Sequence, residues 1–547
     1  MRKIVDKINS IINQERGIIK KEHGGKIKIC LIYPDLYQIG ISNLGFQTVY
    51  RLLNERKDVV CERAFLPSNE ELRDYENYPL ISYETKTYLY EFDILAFSLC
   101  FENDYPNIIK ILELATIPFL SSEREIYHPL VIAGGVLCFS NPEPVAEIFD
   151  IIFVGEAEEL IDNFIGIYKR VKEHSYEQDF KNNLKREIIK LKGFYVPEAY
   201  KEIYRNGKTQ GREILWKDAP DKINRVYCEN FSEGFSYSQI TTSESVFPEM
   251  FLLETMRGCP FCCRFCLVGH VYKPVRKASL NKIIEKIDKI KKEGHSSVGI
   301  IAPSLTAYTE LTELFKIPDV ELSFTSLRAD KFTMEILDAL ATRKTLTLAP
   351  EAGSERLRRV IKKGICENDI LNISKRLSET KLENLKLYFM IGLPFEKDED
   401  IDEIVNLINK IRNIFPRKLT ASISVFVPKP FTPFQWHKME EYEKVTERLK
   451  KLKKDTAKIK GFKLVHEVPK YSYMQGYFAR GNRKVLKNIE RISKGSNFSK
   501  IFEEVKDFVY EIKSFDDYLP WDFIEHEGLS KENLWQEYEK AKNEAGV

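Results

Sequence analysis

Apolar positions along residues 26–165 follow two periods that take turns. Lys26–Pro34 (KIKICLIYP) alternates apolar and polar residues as a strand does, and Leu44–Leu53 then shifts to helical spacing. Val59–Leu66, Asp93–Phe101, Leu130–Val136 and Ile151–Val154 are further short, apolar, β-branched runs. Tyr105–Leu114 and Pro144–Phe149 are helical intervals between them. Strands alternating with helices predict a doubly wound parallel sheet. Ligands of such sheets sit at the carboxyl ends of the strands. That rule singles out the loops beginning at Pro34, Phe101, Gly134 and Gly155. Ahead of the sheet, Ile4, Ile8, Ile11 and Ile12 mark a short amphipathic helix within residues 1–25.

Residues 166–245 are charged and irregular and read as a connector, with strands only at Gly193–Val196 and Glu202–Tyr204. A second alternation starts near Met250. Its strand candidates are Phe251–Met256, Ser297–Ala302, Glu321–Ser326, Thr345–Ala349, Leu385–Ile391 and Ala421–Val427. Helices lie between them, such as Asn281–Lys292 with Ile283, Ile284, Ile287 and Ile290 on one face. About six βα units predict a partial (β/α)6 barrel of the TIM type over 246–436, with its active site at the strand C-termini. Residues 437–547 turn helical and rich in lysine. The expected fold class is α/β throughout, with that helical C-terminal region appended.

Composition narrows the picture. A chain of 547 residues, 43% hydrophobic and 30% charged, is globular and long enough for several domains. A formal net charge of +2 gives no global field toward nucleic acid or membrane. No apolar run reaches the roughly 18 residues needed to span a bilayer, and the N-terminus has no signal-peptide pattern. A cytoplasmic protein is the expectation. Locally, Lys444–Lys463 is basic, and Tyr471, Tyr473, Tyr477, Phe478 and Arg480 interleave aromatics with charge. RNA contact through 444–484 is one reading of this stretch; a solvated helix face is the other.

Of ten cysteines, Cys30, Cys61, Cys100, Cys138, Cys228 and Cys366 are scattered, while Cys259, Cys262, Cys263 and Cys266 crowd together. A disulfide framework would spread them, so the cluster points to metal. Thiolates are soft ligands that suit iron–sulfur clusters and zinc. Three thiolates, from Cys259, Cys263 and Cys266, would leave one iron of a 4Fe-4S cube open to a substrate or cofactor. Zinc fits less well, because adjacent Cys262 and Cys263 can hardly both face one tetrahedral ion. Cys262 therefore reads as a bystander. His270 and Arg276 follow closely; either they line the active site, or His270 only donates to a carbonyl.

The spacing Cys259-x3-Cys263-x2-Cys266, with Phe265 before the third cysteine, resembles the signature of the radical S-adenosylmethionine superfamily. The resemblance implies a cluster whose open iron chelates the methionine moiety of S-adenosylmethionine, giving a 5′-deoxyadenosyl radical. Leu348–Leu357 (LAPEAGSERL) resembles the Glu-x-Gly-Ser segment of the superfamily's Elongator-like branch. That implies cofactor contact by Glu351, Gly353 and Ser354. The residues also read as a plain strand-to-helix turn capped by Ser354. Ser326 and Arg328 end the preceding strand, where the guanidinium would suit a carboxylate. Tyr388–Pro394 resembles the late strand whose backbone meets adenine, which brings in Ile391 and Gly392. The superfamily's Gly-Gly-Glu is replaced by Ala302-Pro303-Ser304.

Residues 26–165 resemble the cobalamin-binding domain fused to many radical enzymes. The matching positions are Asp35, Tyr37 and Gly40 after the first strand, then Ser98, Gly134, Gly135, Gly155 and Glu156. Tyr37 stands where the family has a cobalt-ligating histidine. Ordinary turns of a doubly wound domain would explain the glycines equally. The near full-length resemblance is to an uncharacterised family of fused cobalamin-type radical proteins, and it implies methyl transfer from cobalamin to a carbon radical. Cobalamin-free radical chemistry and an RNA-associated protein are the alternatives. A reductant such as flavodoxin or ferredoxin is implied as partner.

Overall fold

The computed structural model describes residues 1–205, 208–324, 327–329, 336 and 344–547. The chain forms two compact units. The first comprises Met1–Leu253, Gly481–Asn497 and Asp517–Glu527; the second comprises Glu254–Arg480, Phe498–Asp516 and Gly528–Val547.

The first unit is built on a six-stranded sheet of β1 (Ile27–Tyr33), β2 (Val59–Phe65), β3 (Ile94–Ser98), β4 (Leu130–Gly134), β5 (Ile151–Phe153) and β6 (Phe194–Tyr195), in the order β2-β1-β3-β4-β5-β6. The first five are parallel and β6 is antiparallel. Nearly every residue of β2, β3 and β5 is buried, as both faces of a doubly wound sheet require. This is the flavodoxin-like order, whose switch point lies between β1 and β3. Asn43 begins the first crossover helix, Leu44–Glu55, by accepting from the Phe46 N–H at 2.9 Å. Arg63 on β2 is fully buried between Glu15 at 2.7 Å and Glu84 at 2.6 Å.

Residues 166–245 are more than a connector. They supply helix Phe180–Ile188, β6, and a hairpin of β7 (Tyr200–Arg205) and β8 (Lys208–Ile214). They also supply β9 (Ile223–Asn224), which pairs with Ile524–Glu525. Their polar composition reflects edge positions: β7 alternates buried Tyr200 with exposed Lys201.

The chain enters the second unit through β10 (Phe251–Glu254). The short strands β11 (Met256–Arg257) and β12 (Arg276–Lys277) pair antiparallel around the cysteine loop. β13 (Ser297–Ile301) and β14 (Glu321–Phe324) are parallel. β15 (Thr345–Glu351), β16 (Asn384–Ile391), β17 (Lys418–Val425) and β18 (Phe462–His466) form a parallel four-stranded sheet in sequence order. A parallel bridge between Leu327 and Leu348 links β15 to the segment after β14. β18 was not expected. Its side chains are exposed or half-buried, so it lacks the apolar signature of a central strand.

Helices Tyr442–Thr456, Pro469–Ala479, Phe498–Val509 and Lys531–Ala545 complete the second unit. Trp436 is an anchor, buried and edge-on to Trp535 at 5.0 Å between ring centroids. Most of the aromatics in the stretch read as possible RNA contacts are covered. Tyr473, Tyr477, Phe478 and Arg480 are buried, and Arg480 donates to the Glu511 carbonyl at 2.9 Å, so apolar packing claims them. Tyr471 alone of that set is exposed. Among the described residues, no helix is long and apolar enough to cross a membrane.

Candidate active site

Backbone pairing pins the cysteine loop at its two ends: Met256 faces Lys277 and Arg257 faces Arg276. Inside the loop, Arg264 donates from its backbone to the Ile361 carbonyl at 3.0 Å and from its guanidinium to the Val360 carbonyl at 2.8 Å. Arg264 thus ties the loop to the turn after β15. Cys263 is buried, and Cys259 and Cys266 are half-buried. The Cys266 N–H donates to the Cys263 carbonyl at 3.0 Å. Cys262 adopts a left-handed φ of 50° and turns its Sγ back toward the Gly269 carbonyl at 3.4 Å. Among the described residues, no three His, Cys, Asp or Glu side chains converge as they would on one mononuclear ion. Thiolates at the corners of a four-iron cube stand farther apart than that.

His270 is buried, and its Nε2 lies 3.2 Å from the Cys263 carbonyl. Burial lowers its pKa to about 4, so the ring is neutral and its N–H donates to that oxygen. Of the two readings of His270, this is the structural one. Arg276 directs its Nε to the Pro274 carbonyl at 3.0 Å and holds the loop's exit. Phe265 is half-buried within the loop. Burial pushes the Cys263 thiol up to about 11, with Lys363 and Arg328 pulling the other way. Cys259 and Cys266 are raised by burial as well.

Opposite the thiols is a charged set. Glu351 ends β15 where the β15–β16 register shifts, and its φ of 68° is unusual for a side-chain-bearing residue. Such strain clusters at working sites. Glu351 Oε1 accepts from Lys363 Nζ at 3.0 Å. The Lys363 carbonyl accepts from Arg328 Nη2 at 2.6 Å, and the Arg328 guanidinium lies 3.8 Å from the centre of the Phe261 ring, itself in the cysteine loop. Lys363 and Phe261 were not singled out in the sequence. The signal available was Lys363-Gly364 closing the turn after the Glu-x-Gly-Ser segment.

Gly353 and Ser354 have local work instead. A Cβ on Gly353 would lie 2.2 Å from the Ile404 backbone nitrogen, so helix Asp398–Ile414 packs against bare backbone there. Ser354 caps helix Glu355–Val360, accepting from the Leu357 N–H at 3.0 Å. Ser326 lies outside the described residues. The Ile391 side chain is fully buried, and the next residue, Gly392, donates its N–H to Glu396 Oε2 at 2.7 Å. Burial pushes Glu396 up to about 8, opposed by Arg448, which donates to the same oxygen at 2.7 Å. Glu396 and Arg448 also escaped the sequence reading.

At the strand ends of the first unit, several expected cofactor residues are taken up by the protein itself. Tyr37 is buried, stacked on Tyr83 with its hydroxyl donating to Glu15 at 2.7 Å. Gly40 sits under the Phe65 ring. A Cβ on Gly135 would lie 2.4 Å from the Leu99 carbonyl oxygen, and one on Gly155 equally close to that of Val226. On the side a Cβ would take, both glycines meet neighbouring backbone. Glu156 is buried, 2.8 Å from Arg225, and accepts from the Cys228 N–H at 3.0 Å. Ser98 is nearly buried, with Cys100 Sγ at 3.8 Å. What stays open at the β1/β3 switch point is Asp35 and Gly134, both part-exposed, with an apolar rim of exposed Leu36, Ile39 and Phe101.

Comparison with known proteins agrees with this division. Residues 45–197 match the family "Radical SAM proteins, N-terminal", and residues 253–408 match the "Radical SAM superfamily". An uncharacterised protein of Methanocaldococcus jannaschii is 31% identical over 467 residues, 84% of this chain and 90% of that one. The tRNA-2-methylthio-N(6)-dimethylallyladenosine synthase of Aquifex aeolicus is 24% identical over 198 residues, only 32% of this chain and 43% of that enzyme. Among solved structures, the radical S-adenosylmethionine methyltransferase TsrM of Kitasatospora setae, with cobalamin and a 4Fe-4S cluster bound, aligns with a TM-score of 0.46 and 13% identity. That alignment covers 73% of this chain and 72% of TsrM. The match along 90% of the archaeal relative, joined to the superfamily match over residues 253–408, which carry the cysteine loop, establishes that this chain belongs to the radical S-adenosylmethionine superfamily.

Proposed function

We propose that the chain is a cobalamin-dependent radical S-adenosylmethionine methyltransferase. The cobalamin half rests on one observation: a flavodoxin-like sheet whose switch point is open and rimmed by exposed Leu36, Ile39 and Phe101. A flat, largely apolar macrocycle suits such a rim, and ligands of this topology bind there. Bound to this chain, the cluster and S-adenosylmethionine would supply a hydrogen-abstracting radical, and cobalamin a transferable methyl group. Cys259, Cys263 and Cys266 would hold three irons as thiolates, which requires that their protons leave on binding. Lys363 and Arg328 offer positive charge for the methionine carboxylate, and Glu351 a carboxylate for its ammonium or the ribose. Cys262 and His270 keep the loop's shape through carbonyl contacts. The electron would come from a donor such as flavodoxin or ferredoxin.

Tyr37, engaged with Glu15, offers nothing to a cobalt ion, and the Asp35–Gly40 loop contains no histidine. Cobalamin should therefore bind base-off, with no imidazole nitrogen from this loop. Electron paramagnetic resonance of the cob(II)alamin form, on protein purified anaerobically with cobalamin, tests this. Spectra without nitrogen superhyperfine splitting are expected, and splitting would contradict the assignment. Protein that holds a full cluster but no cobalamin would leave the second reading, cobalamin-free radical chemistry.

A further inference from the structure

We propose that one face of the β15–β18 sheet binds a nucleotide, with the base stacked on Tyr388 and the phosphate held between Lys386 and Lys463. The strand register lays this face out in rows. Thr347, Lys386, Thr420 and Lys463 stand abreast on the four strands. The next row holds Tyr388, Ser422 and Val465, and the one after it Met390 and Ser424. The alternate residues Leu346, Leu348, Leu385, Leu387, Leu419 and Ala421 are buried, so the opposite face is the packed one. The row face instead leaves Tyr388 43% exposed and Val465 42% exposed.

An exposed tyrosine on a central strand needs an explanation, because packing would normally cover it. Among the described residues, the Tyr388 ring stacks on no other ring, and Lys386 and Lys463 form no ion pair. On the same face, just past β18, the Glu467 carboxylate accepts from the Ser472 hydroxyl at 3.5 Å. Among the described residues, these two cations have no acid partner, and they stand one register row from an aromatic surface. Neighbouring strands lie about 4.8 Å apart, so the roots of Lys386 and Lys463 are about 10 Å apart, and Tyr388 is about 7 Å along the strand from Lys386. Lysine stems are flexible enough to converge on one phosphate from those positions. Any base offers a π-face for stacking, which makes a nucleotide fit better than a bare anion or an apolar substrate. The phosphate also separates this ligand from S-adenosylmethionine, which carries none. The inference rests on the radical reading of the same barrel, since it names the substrate class.

The test uses the full chain, reconstituted anaerobically and saturated with S-adenosylmethionine, titrated with AMP and with a short single-stranded RNA. Binding of at least one probe is expected. Tyr388→Ala should weaken it about tenfold, since stacking dominates single-strand binding, and Tyr388→Phe should restore it. Lys386→Ala and Lys463→Ala should each flatten the log–log salt dependence for the RNA by roughly 0.7. Preference for the RNA would identify the nucleotide as part of a strand, and equal binding as a free one; both support the site. Binding of neither probe would overturn the proposal. So would native affinity in Tyr388→Ala, or AMP binding seen only in protein free of S-adenosylmethionine, which would mark the cofactor's own pocket. Iron content and deoxyadenosine formation, measured on the same preparations, report separately on the radical reading.

Discussion

Cys262 and Cys263 are adjacent, yet the backbone sends them to different tasks. The left-handed φ at Cys262 turns its thiol onto the Gly269 carbonyl, while Cys263 stays within the electrostatic reach of Lys363, Arg328 and Glu351. Reconstituted protein should carry about four irons. Replacing Cys259, Cys263 or Cys266 by Ala should remove most of them, and Cys262→Ala should not; full iron in any of the first three variants would reject the ligand set. Glu351→Gln should lower deoxyadenosine formation at least about tenfold, because it removes the negative charge from a hydrogen bond between charged groups and leaves the Lys363 charge uncompensated. Unchanged turnover with a full cluster would exclude that role. The cysteine spacing made the loop legible at once. Lys363 and Phe261 were not legible, because their significance depends on Arg328 reaching between them from another element.

Elements with a strong period were readable to within a few residues: β1, β2, helix Tyr105–Leu114 and β16 all fall where the apolar pattern put them. Edges were not readable. β8 and β18 carry polar or exposed positions, since an edge strand buries less of each side chain, whereas β7 was read in part at Glu202–Tyr204. The β16–Glu396 loop illustrates a dependence that only tertiary structure shows. Its Gly392 N–H is held by Glu396, and Glu396 is held by Arg448 from helix Tyr442–Thr456, which also reaches Asp398 at 2.9 Å. A run of lysines around that helix advertised charge, yet the buried Arg448 is the residue with structural consequence. Arg448→Met would leave the buried Glu396 carboxyl without its charged donor, and an unsatisfied buried acceptor costs on the order of 1–3 kcal/mol. Urea denaturation of the variant should show a midpoint shifted well down, and an unchanged midpoint would mean the pair carries no net stability.

At the scale of the whole molecule, the sequence showed two α/β regions in order but not that Gly481–Asn497 and Asp517–Glu527 return to the first unit. Those returns depend on specific side chains, such as Arg483 reaching Glu143 at 2.8 Å and the Tyr195 hydroxyl at 2.7 Å, which no periodicity announces. The stability of the first unit should also depend on pH through its open end. Asp104, after β3, is pushed up to about 8 by burial and by the neighbouring carboxylates Asp35 and Glu102, with Tyr33 and Cys100 also close. A carboxyl with a raised folded-state pKa favours the folded state fully at pH values below its unfolded value near 4. That contribution falls away as pH rises through about 8, where the buried group must ionise. Asn cannot ionise, so Asp104→Asn should gain relative stability across that window. The gain should be absent near pH 4 and grow to on the order of a few kcal/mol by pH 9. Paired denaturation curves of the two proteins from pH 4 to 9 measure it. A difference that stays constant across the range would show that Asp104 does not titrate in the folded chain.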